Sequence, residues 1–519
     1  MTEIVARTRH GRVRGTRAPD GLRFLGIPYA APPSVAGRFA APAPHEAWDG
    51  VRDATRYGAT ALQPDRGVTI IPEPLVAGDN CLNLNVFTPA LGGAGGAGGA
   101  GGAGLPVLVW IHGGGFFGGC NASPWYAGSS FNRDGVVLVS VNYRLGAEGF
   151  LVLPDAPANR AVLDWIAALQ WVQENIAVFG GDPGRVTIAG QSAGGMACAT
   201  LLGTPAAKDL FRAAVCLSGS VPPGPDLGRA RQIARELADR LGIRLSREAF
   251  EQVGDAALLA GQQAMMHRRP SGEAGEAGEA GDVSEASEAG KDMAALTAAL
   301  ARTALPFAPV VDGEVVTKPA LDAVAAPANR HVPVLAGVTA NEFGMVLRDA
   351  GWVTRDMLAS ALGTLTGRDA AQVDRYLAAQ HRRTPAEIAG QVITDQTFRL
   401  PMHRLLAAAP AGFGYEFRWA PEAGPFAGLA VHCLDLPFVF DLLSADGVAA
   451  VAGGNPPQAL ADAMHRAVTS FVTDLTPGWA RYTPETRLTR IFGGNGKTEE
   501  TQPDPLALER SLWAGRWPS

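Results

Sequence analysis

With 519 residues, 47% of them hydrophobic and 18% charged, the chain has ample apolar surface for a large core. A formal net charge of −6 and the lack of any long basic run exclude the electrostatic footprint of a nucleic-acid binder. Cys81, Cys120, Cys198, Cys216 and Cys433 are an odd set with no C-x-x-C spacing, which argues against a disulfide framework or a zinc site and predicts reduced, mostly buried thiols.

The N-terminal MTEIVARTRHGRVRG has no apolar h-region and no small-residue cleavage site. The apolar runs PVLVWI and GVVLVSV are too short to cross a bilayer, so a cytoplasmic protein with no membrane partner is expected. Two low-complexity runs, 92–104 (GGAGGAGGAGGAG) and 272–290 (GEAGEAGEAGDVSEASEAG), bury too little to offset their ordering entropy. They are expected to be flexible loop insertions in one catalytic domain spanning 1–519, because the segments they interrupt form one continuous α/β series.

That series begins with PVLVWI (106–111), a buried-strand pattern that ends in His112-Gly113-Gly114-Gly115-Phe116-Phe117-Gly118-Gly119. Gly113, Gly115 and Gly118 spell the G-x-G-x-x-G of a dinucleotide loop. A dinucleotide fold needs a helix straight after the glycines and an acid ending the next strand. Here CNASPWYAGSSF follows with no amphipathic period, and the next strand, GVVLVSV (135–141), ends in Asn142. The glycines are better suited to presenting backbone N–H groups to an oxyanion.

Next, Val162, Ile166, Leu169, Val172 and Ile176 fall on one helix face, and Gly180, Gly181 and Pro183 stop that helix. RVTIAG (185–190) is a strand, SAGGMACATLLG opens a helix, and RAAVCLSG (212–219) is another strand. Strands alternating with helices predict a central, mostly parallel sheet with helices on both faces.

At the strand–helix junction Gly190-Gln191-Ser192-Ala193-Gly194 forms a G-x-S-x-G. The pentapeptide is weak evidence alone, but between a strand and a helix it fits a sharp turn that exposes a nucleophilic serine, with glycines two before and two after relieving the crowding. A serine needs a base, and the base a carboxylate to hold its tautomer. His432, in GLAVHCLDLPFVF, follows the serine in the right order. Glu342, in VPVLAGVTANEFG, lies between them after a short strand; Asp312 (a turn, Asp-Gly) and Asp435 (a cap for the next segment) compete with it.

The motifs in order, FLGIPYAAPP (24–33), GRF (37–39), DNCLNLNVFTP (79–89), HGGGF (112–116), NYRLG (142–146), FGGDP (179–183), GQSAGG (190–195), SGS (218–220), GVTANE (337–342) and HCLDLPFVF (432–440), resemble the type-B carboxylesterases, the cholinesterase-like branch of the α/β-hydrolases. The resemblance covers nearly the whole chain. It implies an α/β-hydrolase fold without metal or cofactor, Ser192 as nucleophile, Glu342 as acid and His432 as base, and an oxyanion hole of the Gly114, Gly115 and Ala193 amides. It also implies structural ion pairs Arg144–Asp182 and Arg38–Asp79. The chain departs from the family pattern at Asp79-Asn80, at Gln191 beside the serine, and at Phe343, which separates Glu342 from Gly344. The expected activity is hydrolysis of small to medium uncharged esters through an acyl-enzyme. Phe116 and Phe117 would line the substrate pocket, with Trp125 and Tyr126 at its mouth. A lipase, amidase or lactonase on the same triad is the alternative, since the triad does not reveal the leaving group. A non-enzymatic cholinesterase-like binding protein and a nicotinamide oxidoreductase are further readings, each weakened by the residues above.

Overall fold

The computed structural model describes residues 4–67, 69–92, 104–219, 225–266, 288–300, 305–326, 329 and 331–514. Among the described residues thirteen strands join one sheet: β1 Ile4–Thr8, β2 Gly11–Ala18, β3 Gly21–Pro28, β4 Val51–Asp53, β5 Asn83–Thr88, β6 Leu105–Ile111, β7 Val137–Val141, β8 Gly181–Gln191, β9 Ala213–Leu217, β10 Val334–Thr339, β11 Gly412–Phe417, β12 Thr489–Phe492 and β13 Glu499–Gln502. Their spatial order is β1-β2-β3-β5-β7-β6-β8-β9-β10-β11-β12-β13, with β4 beside β2. From β7 to β12 every neighbouring pair is parallel, and the flanking pairs of the main path are antiparallel.

Alternation along the strands sorts two cores. Val107, Val109 and Ile111 of β6 face one core, with the helix Arg160–Asn175; Leu108 and Trp110 face the other, with the helix Gln458–Asp474. All five predicted face residues, Val162 to Ile176, are buried in the first core. The helix ends where the sequence places its glycines: a short 3₁₀ turn, Ile176–Phe179, leads to Gly180 in the left-handed region at φ 80°. A third apolar cluster ties the helices Arg355–Thr366, Ala370–Ala379 and Pro385–Thr394 to one another and to the helix Ala507–Trp513.

Of the two low-complexity runs, 93–103 and 272–287 lie outside the described residues. Residues 288–290, the end of the second run, form the first turn of the helix Glu288–Leu300. All five cysteines are buried and free. No helix among the described residues is long and apolar enough to cross a membrane.

Both ion pairs implied by the resemblance are replaced. Arg144 is buried and pairs with Asp164 on the helix Arg160–Asn175, at 2.6 Å to Oδ1 and 2.9 Å to Oδ2. Asp182 cannot serve, because it stands near the start of β8, beside Leu105, whereas Arg144 follows the end of the parallel strand β7. These are opposite ends of the parallel strands. Arg38 binds Glu148 and, at 2.6 Å, Asp255, while Asp79 is exposed and faces Arg52.

Candidate active site

The parallel strands end on one edge, and their following loops carry the chemistry. β8 runs into Ser192, which links it to the helix Ala193–Leu202 with φ 57° and ψ −124°, a conformation that side-chain-bearing residues rarely adopt. Its N–H donates to Leu217 O at 2.8 Å, and its carbonyl accepts from Met196 N at 2.9 Å. The glycines beside it are sterically required. A Cβ on Gly190 would come within 2.3 Å of Gly194 C, and one on Gly194 within 2.0 Å of Ile111 O.

β6 runs into the loop 112–119. Gly114 and Gly115 have φ of 109° and 66°. The loop is pinned from three sides. His112 Nδ1 and Gly113 O lie 2.8 Å apart, the Tyr143 hydroxyl donates to His112 O at 2.9 Å, and Gln63 both donates to Gly119 O and accepts from its N–H. Among the described residues, the N–H groups of Gly114, Gly115 and Ala193 have no intramolecular acceptor. All three residues line the same cleft as Ser192, so three free donors and one hydroxyl share about 490 Å3 of space.

Glu342 and His432 are brought together by backbone. Asn341 N–H donates to Ala430 O at 3.0 Å, its side-chain oxygen accepts from Ala430 N–H at 3.1 Å, and His432 N–H donates to Glu342 O at 2.9 Å. The Glu342 carboxylate, fully buried, accepts from Thr339 N–H at 2.8 Å and the Ser218 hydroxyl at 2.7 Å through Oε1, leaving Oε2 for His432 Nδ1 at 2.5 Å. Burial opposes charging of the imidazole, but Cys433 and Glu342 outweigh it and lift the His432 pKa well above its ordinary 6.5. His432 Nε2 lies 3.1 Å from the Gln191 side-chain nitrogen. The Ser192 hydroxyl has no hydrogen-bond partner among the described residues.

The two competing acids stand elsewhere. Asp312 accepts three backbone N–H groups of its own turn, as its Asp-Gly pair predicts. Asp435 caps no N–H with its side chain; instead it accepts from the Tyr415 hydroxyl at 2.7 Å, and burial pushes its pKa up to about 6.

The aromatic expectations divide. Phe117 lines the cleft. Phe116 does not: at φ 64° it turns inward and packs on Phe150 and Trp165. Trp125 and Tyr126 are not at the mouth either. Tyr126 is buried against Trp110 and Phe440, and the Trp125 indole donates to Asp446 O at 2.8 Å.

Three features escape the sequence reading. Ser218 was visible only as part of SGS, with no role attached. Phe343, noted as a departure, stands with its ring 5.2 Å from His432 and 5.0 Å from Phe398, which is itself 5.0 Å from His432. Phe398 sits on a π-helical turn, Asp395–Arg399, held by the buried Arg399, which binds Asp395 at 2.5 Å and Glu416 at 3.1 Å. Neither the π turn nor this ion network has a local sequence signal.

A serine on a strand–helix elbow, beneath free backbone donors and beside an acid–imidazole pair, at the C-terminal edge of a parallel sheet, defines an α/β-hydrolase. The carboxylesterase family model matches residues 2–489. Para-nitrobenzyl esterase of Bacillus subtilis is 33% identical over 515 residues, 95% of each chain. Fumonisin B1 esterase of Sphingopyxis macrogoltabida is 33% identical over 86% of this chain and 76% of its own. A solved PNB esterase superposes with a TM-score of 0.79 at 30% identity, covering 100% of both chains. The chain therefore belongs to the carboxylesterase family and is an ester-hydrolysing enzyme.

Proposed function

We propose that the protein is a serine carboxylesterase of one catalytic domain, acting through an acyl-enzyme on small to medium esters. The shared cleft of Ser192, His432 and the free N–H groups of Gly114, Gly115 and Ala193 is the observation that carries this reading.

The reacting nitrogen of His432 lies 3.1 Å from the Gln191 side-chain nitrogen. Catalysis requires the Ser192 hydroxyl to reach that nitrogen. His432 Nε2 takes the hydroxyl proton as Ser192 Oγ bonds to the ester carbonyl carbon, and the carbonyl electrons move to an oxyanion held by the three amides. Collapse expels the alkoxide, which receives the proton from His432. Water then repeats the cycle on the acyl-serine and releases the acid. The Glu342 carboxylate fixes the Nδ1–H tautomer and stabilises the transient imidazolium. Ser218 and the Thr339 N–H orient Glu342 by donating to its Oε1.

Phe117, Phe343 and Phe398, with Leu300, Leu305 and Ile393, make most of the wall apolar, which favours substrates with a hydrocarbon portion. The five free thiols favour a cytoplasmic setting for the enzyme. A graded panel of esters, amides and lactones tests the reaction class. Ester hydrolysis that is lost in Ser192→Ala supports the proposal; a clear preference for amides or lactones moves the assignment to an amidase or lactonase.

A further inference from the structure

One wall of the cleft is not apolar. Arg66 and Glu73 line it together, and they form an ion pair through Arg66 Nη2 and a Glu73 carboxylate oxygen. The guanidinium is held by shape. It stacks over the Phe117 ring at 5.3 Å and lies against Gly118, where a Cβ would come within 2.6 Å of its Cζ. Phe117 in turn crowds Gly115, whose Cβ would meet its ring at 2.7 Å. Arg66 thus touches the loop at Gly118 and is set one aromatic ring away from Gly115, whose N–H is one of the free donors. Glu73 is its one hydrogen-bonded partner among the described residues, and its Nε is buried with none. A guanidinium has five N–H donors in a fork that matches a carboxylate, so most of this group's capacity is unused.

We propose that Arg66 is a recognition site for a carboxylate carried by the substrate, and that the preferred esters bear an anionic group remote from the scissile carbonyl. The inference rests on the esterase reading above and replaces the expectation of uncharged substrates that the sequence raised. Glu73 is the chain's own stand-in for that carboxylate. Exchanging one for the other keeps Arg66 paired, and Glu73 is poorly solvated where it stands, since burial raises its pKa more than Arg66 lowers it. A neutral ester leaves the pair intact and remains a slower substrate.

The test compares kcat/KM for matched pairs that differ by one carboxylate. Monoethyl adipate against ethyl hexanoate puts the anion on the acyl side; γ-acetoxybutanoate against butyl acetate puts it on the alcohol side. In at least one pair the anionic-to-neutral ratio should fall about tenfold in Arg66→Gln, recover in part in Arg66→Lys, and rise in Glu73→Gln, where the guanidinium has no competitor. The pair that responds identifies the side. A ratio that moves less than about twofold in every variant, with neutral esters still hydrolysed, overturns the inference and leaves Arg66–Glu73 as a strap on its loop. Should Arg66→Gln fail to fold, Glu73→Gln decides alone. If the wild type hydrolyses none of the four esters, the esterase reading fails and this inference with it.

Discussion

The floor of the cleft and its walls are held in place by different means. The floor is backbone: Gly114, Gly115 and Ser192 all sit at positive φ, and Gly190 and Gly194 leave no room for a Cβ. The walls are side chains drawn from distant segments, with Arg66, Leu300, Phe343 and Phe398 among them. A floor made of strained backbone tolerates almost no substitution, because the required conformations and contacts exclude side chains altogether. A wall made of packed side chains tolerates many, and so can set which ester is accepted without altering how it is cleaved.

That contrast orders the expected effects. Glu342→Gln removes the charge that fixes the His432 tautomer, and kcat should fall by about 10⁴. The same variant tests the pH dependence. Catalysis needs neutral His432, so wild-type kcat/KM should fall as pH drops through a pKa above 6.5, and losing the Glu342 charge should move that acid limb to lower pH. An acid limb that stays put would mean that Glu342 does not set the imidazole. Gly114→Ala comes next. Its Cβ would meet Gly118 O at 2.1 Å, so the donors must shift and kcat should drop by about 10²–10³ with the fold retained, as circular dichroism would verify.

Away from the cleft, Asp164→Ala leaves the buried Arg144 uncompensated and should cost about 3–5 kcal/mol in denaturant unfolding, whereas Asp182→Ala should cost under about 1 kcal/mol. Equal costs would undo the reassigned ion pair. The smallest effect belongs to the walls. Phe117→Leu should change KM for a bulky ester by only a few-fold while kcat for a small one holds, and Phe116→Leu should lower stability by about 1 kcal/mol with little change in substrate preference.

The floor was legible in the sequence because its requirements are local. A glycine two residues either side of Ser192, and a glycine cluster after PVLVWI, are steric demands written within a few positions. The buried apolar strands and the 162–176 helix face were legible for the same reason: apolar pattern and burial go together. The walls were not. Phe116 and Phe117 are adjacent and chemically identical, yet one faces the core and the other the cleft, a choice made by the φ of 64° at Phe116. Trp125 and Tyr126 follow the glycine loop closely in sequence but turn to the opposite core. The Arg144 partner implied by the resemblance was misplaced because Asp182 and Asp164 are both near it in sequence, and only the topology shows that Asp182 stands at the other end of the parallel strands. Ser218, Arg66 and the π turn carrying Phe398 act through contacts with residues far along the chain, which no short motif records.

The central claim is that one hydroxyl, on the elbow after β8, performs the chemistry. Incubating the full chain with a fluorophosphonate and mapping the adduct by peptide mass spectrometry tests it most directly. The account predicts stoichiometric labelling of Ser192, in step with loss of ester hydrolysis, and no adduct on Ser192→Ala. Labelling at another residue, or full hydrolysis with Ser192 unmodified, would contradict it.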